Sequence, residues 1–166
     1  IYSYGPDDEE AQKAANPDGV IVVNSRNIVR HEHKLTQVPD VALRIDGGWL
    51  AGSNRGEWGG DLVYINDDKK STKIMESNDI VEDIYKLGDR YIATTGTTHL
   101  GLNSAMVFEL FQGADGSWKA KQWLMLPGAP MSSWLVETGE LLINTNSGGS
   151  ILLSKDGVMR MAECTE

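Results

Sequence analysis

The chain has 166 residues, 40% of them apolar and 23% charged, with a formal net charge of −9 at neutral pH. That length suits one domain able to bury its core without disulfides, and 18 glycines against 5 prolines point to many tight turns rather than to disorder. The acidity argues against nucleic acid, which is bound through a basic face, and suits a basic protein partner or a cation as well as plain solubility. No apolar run approaches the roughly 20 residues of a membrane-spanning helix, so no membrane insertion is expected.

From the N-terminus, Asp7 to Ala15 reads as one short helix whose first-turn acids complement the helix dipole and which Asn16-Pro17 ends. Val20 to Val23 and the alternating stretch from Ile28 to Leu35 read as strands of a degenerate first unit within residues 1–37. His31-Glu32-His33 puts two imidazoles on one face of a strand, as a metal pair requires. No third ligand stands nearby, surface histidines on an edge strand are the simpler reading, and neither metal nor cofactor is assigned.

Three better-formed units follow. Residues 38–78 carry Val41 to Ile45, a turn at Asp46-Gly47-Gly48, Trp49 to Gly52, a glycine-rich loop, Asp61 to Ile65, a charged turn at Asn66 to Lys70 and a closing Lys73-Ile74-Met75. Residues 79–127 carry Val81 to Leu87, a turn at Gly88-Asp89, Tyr91 to Thr94, a loop up to Ser104, Ala105 to Leu110, the Asp115-Gly116 turn and Trp118 to Leu126. Residues 128–163 carry Ser133 to Val136, a turn at Thr138-Gly139-Glu140, Leu141 to Asn144, a loop, Ser150 to Leu153, the Asp156-Gly157 turn and Val158 to Ala162. The Asp-Gly pairs are hairpin signals, because glycine tolerates the positive φ that two-residue turns require. Matching the third strands puts Leu62, Met106 and Ile151 in register at a spacing of about 45 residues, the period of a four-stranded propeller blade. The expected fold is all-β: a single domain over residues 1–166, built from antiparallel four-stranded repeat units as a small or partial β-propeller, with a β-sandwich as the alternative. A strand from the N-terminal end pairing with the last unit would close the ring.

If the units are blades, the loops joining their second and third strands gather on one rim, where binding on a rigid β scaffold tends to reside. In the first unit that loop offers Arg55 as a planar fork, Glu57, and Trp58 as apolar area with one donor, among glycines that let a partner approach the backbone. The second offers His99, Leu100, Asn103 and Ser104, the third Asn144 to Gly149, and the proline-stiffened linker from Leu126 to Trp134 adds Ser132, Ser133 and Trp134. The alternative reading of each is a turn or linker that stabilises the blade.

Catalysis finds less support. His99 with Ser104 or Ser147 can be drawn as a base and nucleophile, yet no Gly-x-Ser-x-Gly elbow, Walker loop, dinucleotide fingerprint or zinc-protease helix occurs. Glu82-Asp83, and Glu137 with Glu140, read as solvated acids rather than glycosidase pairs, so no catalytic residue is assigned. Cys164 is the single cysteine, which rules out an intrachain disulfide and a cysteine zinc cluster and leaves its redox state open.

Across residues 38–163 the repeats resemble β-propeller blades, without the Gly-His and Trp-Asp marks of WD40 units. In size, acidity and all-β character, and in a start at Ile1 that fits removal of an export signal, the chain also resembles the small periplasmic immunity proteins that block type VI secreted cell-wall amidases. That resemblance implies a periplasmic or secreted, non-enzymatic inhibitor of a basic secreted enzyme. Such an inhibitor plugs the enzyme's cleft with a rim loop and sets a hydroxyl against its catalytic histidine or cysteine. Two alternatives stand beside it: a lectin-like glycan or small-molecule binder in which Trp49, Trp58 or Tyr91 stacks on sugar rings, and a metal enzyme using His31 and His33.

Overall fold

The computed structural model describes residues 39–162 apart from 76, 78, 100 and 101, so the N-terminal helix and strands, His31, His33, Leu100 and Cys164 lie outside the described residues. The first sheet comprises β1 (Val41–Ile45), β2 (Gly48–Gly52), β3 (Leu62–Asn66) and β4 (Ser71–Lys73). β5 (Ile80–Leu87), β6 (Arg90–His99), β7 (Leu102–Gln112) and β8 (Trp118–Met125) make the second, and β9 (Pro130–Leu135), β10 (Leu141–Thr145), β11 (Gly149–Leu153) and β12 (Met159–Met161) the third. Each sheet is an antiparallel meander in which strands pair in chain order, and the sheets are not closed into a barrel. Among the described residues the helical element is one short 3-10 turn, Gly56–Trp58.

The turn chemistry explains the meander. Ile45 pairs with Gly48 across Asp46-Gly47, where Gly47 has φ +78, and Leu87 pairs with Arg90 across Gly88-Asp89, where Gly88 has φ +62. Positive φ at Gly88, the first central residue, matches the right-handed twist of the flanking strands, and at both positions glycine adopts it without strain.

Side-chain alternation then sets the layers. Ile45, Leu50 and Leu62 of the first sheet pack with Val81, Ile84, Ala93 and Leu110 of the second. On its opposite face the second sheet places Leu87, Ile92, Ala105 and Val107 against Leu141, Ile143, Ile151 and Leu153 of the third. Ile92 and Ala93 are neighbours in sequence, yet both are fully buried, because each faces a different sheet. The first interface holds Trp118 between Tyr64 and Tyr91, with ring centroids 5.8 and 5.7 Å away. It is fastened by the Ala120 N–H, which donates to the Ile74 carbonyl at 3.0 Å. β1 and β2 lie against β5, and β9 against β5 and β6, an order compatible with a propeller-like arrangement.

Three local expectations are corrected. The segment from Thr94 to Ser104 is a ladder rather than a loop: Thr97 pairs with Ser104, Thr98 with Asn103 and His99 with Leu102. Its β-branched threonines suit a pleated surface, and Gly96 sits where a Cβ would strike Pro130, so this glycine permits close packing rather than a bend. The strand expected from Ser133 starts earlier, since β9 begins at Pro130 and takes in Ser132 with Ser133 and Trp134, so the linker ends before Pro130, a first strand position where a missing N–H costs little. Finally, Leu62, Met106 and Ile151 are not equivalent. Leu62 faces the next sheet in the chain and Ile151 the previous one, while Met106 lies between Ala105 and Val107 and points away from the third sheet. Met106 and Ile151 thus both face the previous sheet and Leu62 the next, so the matched register is out of phase by one residue between the first and second units, and a one-residue slip reverses the face.

The layer order makes a stability prediction. Leu110→Ala, in the first interface, should cost about 2–5 kcal/mol in urea unfolding, and Leu142→Ala, on the half-buried outer face of the third sheet, less than half as much. Equal losses would contradict the second sheet as the middle layer.

Candidate functional site

In each meander the first strand starts, and the second–third connection lies, at the same end. Contacts between sheets bring these ends together. The Val81 N–H donates to the Ser53 carbonyl at 3.3 Å, and Gly96 of β6 packs against Pro130 at the start of β9, where a Cβ would lie 2.7 Å from its ring. Within the third unit, Ala129 N donates to Asn146 Oδ1 at 3.0 Å and Asn146 N to the Ala129 carbonyl at 2.9 Å. This end is the rim.

The loop from Ser53 to Asp61 is stiff. The Asn54 Oδ1 accepts the Gly56 N–H at 2.9 Å, and the Arg55 N–H donates to the Gly59 carbonyl at 2.8 Å. Beneath it lies Asp61, 1% exposed, with Arg55 Nη2 at 3.2 Å from one carboxylate oxygen and Lys73 Nζ at 3.4 Å from the other. Its N–H donates to Ser53 Oγ at 2.9 Å. Gly60 is required, since a Cβ there would lie 2.1 Å from the Ser53 carbonyl oxygen. The guanidinium of Arg55 therefore turns inward onto Asp61 instead of standing out as a recognition fork. Glu57 occupies the 3-10 turn, and Trp58 is 76% exposed.

A second group joins the second and third sheets. The Tyr85 hydroxyl donates to Asp83 Oδ2 at 2.5 Å and lies 2.6 Å from the Ser133 carbonyl, while Ser133 Oγ donates to Asp83 Oδ2 at 3.1 Å. Burial pushes the Tyr85 phenol up to about 12, and its bond to Asp83 adds to the rise. The hydroxyl of Ser133 is thus held between sheets. Ser132 and Trp134, one residue to either side, pair with Asn144 and Leu142 on the third sheet's outer face, where the Asn144 amide donates to Ser132 Oγ at 3.1 Å. The three residues read together from sequence are divided between two surfaces.

Where the loop meets β5, Asp40 Oδ2 accepts the Asn54 N–H at 2.5 Å, and the Asn54 side-chain amide donates to Glu82 Oε1 at 3.5 Å. Glu82 sits at the register shift between Val81 and Asp83. Burial pushes its carboxyl up, and the charges of Asp83 and Asp40 push in the same direction. Asp40 and Tyr85 were not singled out from the sequence. The i, i+2 spacing of Asp83 and Tyr85 on a strand was a usable signal, but their partner Ser133 is nearly fifty residues away.

His99, Asn103 and Ser104 take their places on the β6–β7 ladder at the rim through their backbones. Trp49 is half-buried with Arg44 over its ring at 5.4 Å, and Tyr91 is half-buried against Trp118, so of the three aromatic residues considered for sugar stacking Trp58 presents the open ring. Among the described residues no group of three His, Cys, Asp or Glu is placed to hold a metal.

Two predictions follow from these groups. Asp61→Asn leaves Arg55 and Lys73 without their shared counter-charge and should cost about 1–3 kcal/mol in urea unfolding at neutral pH. Glu82 has a folded-state pKa above its unfolded value, so its charged form weakens the fold above that pKa, and the cost disappears as pH falls through it. Glu82→Gln should accordingly raise the melting temperature at neutral pH and leave it unchanged below the ordinary carboxylate range. A pH series of thermal melts reads both arms.

No family model, curated protein or solved structure matches the chain, so its function is argued from its own residues.

Proposed function

We propose that this chain is a non-enzymatic protein-binding module, an inhibitor of the immunity type that blocks a secreted enzyme with its rim. The observation that carries this reading is Trp58, 76% exposed on a loop whose backbone is tied down from within. A large aromatic side chain left in water on a rigid support loses little entropy when a partner buries it, which is how interface anchors work. The buried Asp61 staple supplies that rigidity. The lectin-like alternative would have to use this same ring, since Trp49 and Tyr91 are half-buried against their neighbours.

The test replaces Trp58 by a photo-crosslinking amino acid in the native host, with Asp68, on the turn after β3 at the opposite end, as control. The reading expects an adduct at position 58 and none at 68, to an enzyme that the unmodified chain inhibits stoichiometrically. It also expects Trp58→Ala to weaken the complex by about 2 kcal/mol or more. Adducts equal at both positions, or a partner whose activity the chain leaves untouched, would overturn it.

A further inference from the structure

The rim is chemically uneven. Four segments build its inner part: residues 40–42, the loop 52–61, residues 73–83 between the first and second sheets, and residues 126–133 leading into β9. Their described acids are Asp40, Glu57, Asp61, Asp79, Glu82 and Asp83. Their cations are Arg55 and Lys73, and both are ion-paired to Asp61. Asp61 is buried, so the positive charge at this end is neutralised from beneath, while Asp40 stands exposed and Glu82 half-exposed around Asn54. Elsewhere the molecule mixes its signs: Arg44 pairs with Asp67, Arg90 with Glu109, Lys119 with Asp115 and Arg160 with Glu140.

Apolar surface borders the acids. Trp58 extends from the same loop as Asn54, and Met131, 69% exposed, lies two residues from Ser133, whose hydroxyl bonds to Asp83 beside Glu82. Asp40, Asn54 and Glu82 therefore adjoin at the rim, with Trp58 on the same loop as Asn54 and Met131 on β9 beyond Asp83 and Ser133.

From this charge pattern we infer that the patch between Trp58 and Met131 docks a basic protein surface, with Asp40 and Glu82 receiving lysine or arginine side chains while the two apolar residues are covered. The inference rests on the protein-binding reading and specifies the partner's chemistry. Rim acids steer a basic partner and raise its association rate, and they repel acidic competitors. Glu82, held close to Asp83 and Asp40, gains most from an incoming cation, because that cation relieves the repulsion among the three carboxylates.

The experiment records amide NMR spectra of the full chain during titration with an oligolysine peptide. Shifts at Asp40, Asn54, Glu82 and the Trp58 indole that weaken as salt is raised are the expected result. The Asp40→Asn, Glu82→Gln double variant should bind about fivefold more weakly, and Asp68→Asn, at the opposite end, with unchanged affinity. Shifts centred on the turn from Asp67 to Lys70, or equal affinity of the double variant and the parent, would overturn the inference. Should the double variant lose its amide dispersion, Asp79→Asn gives the same reading with a smaller loss, and an unchanged affinity there too would overturn it. A partner crosslinked at position 58 whose contacting surface is neutral or acidic would leave the protein-binding reading standing and remove this one.

Discussion

The second sheet packs a hydrophobic core on each of its two faces, and the rest of the structure depends on that. Ile92 and Ala93, adjacent on β6, are each fully buried against a different neighbour, so the first and third sheets have their positions set by the two faces of one meander. Burying apolar area on both faces of a sheet is the strongest term available to a small chain of this kind, and it is non-directional. Direction comes from the few oriented contacts at the interfaces: Trp118 between two tyrosines, the Ala120 to Ile74 backbone bond, and the Asp83, Tyr85 and Ser133 group.

The rim is a consequence of the same arrangement. Three meanders of even strand number, joined one to the next, bring their second–third connections to one end, provided the sheets pack in chain order. The Val81 to Ser53 bond and the packing of Gly96 against Pro130 join those ends. The two parts of the rim differ in how they are held. The loop carrying Trp58 is anchored by a buried carboxylate and two cations, a geometry that fixes the backbone and leaves the aromatic ring free. Ser133 is instead shared between sheets, so its hydroxyl serves the fold first.

Burial and charge act together around Glu82. A strand irregularity places it beside Asp83 and within reach of the Asn54 amide, and partial burial with two neighbouring acids raises its proton affinity. An amide at this position would escape that burial and repulsion while keeping an acceptor for Asn54.

The amino-acid sequence by itself determined the all-β class, the three four-stranded units and most turns, because these depend on local rules: the alternation of Leu50 with Ala51, glycine at positive φ at Gly47 and Gly88, and a spacing of about 45 residues. It also singled out the loop of Trp58 by composition. Tertiary structure decided which face each strand presents, since a register slipped by one residue reverses the parity that separates Leu62 from Met106 and Ile151. It likewise turned Thr94–Ser104 from an apparent loop into a ladder, drew Arg55 inward onto Asp61, and split Ser133 from Ser132 and Trp134. The ladder and the placing of Ser133 rest on partners from another strand or sheet, which no pattern within the segment encodes, and Arg55 turns inward because the fold buries Asp61 beneath its own loop.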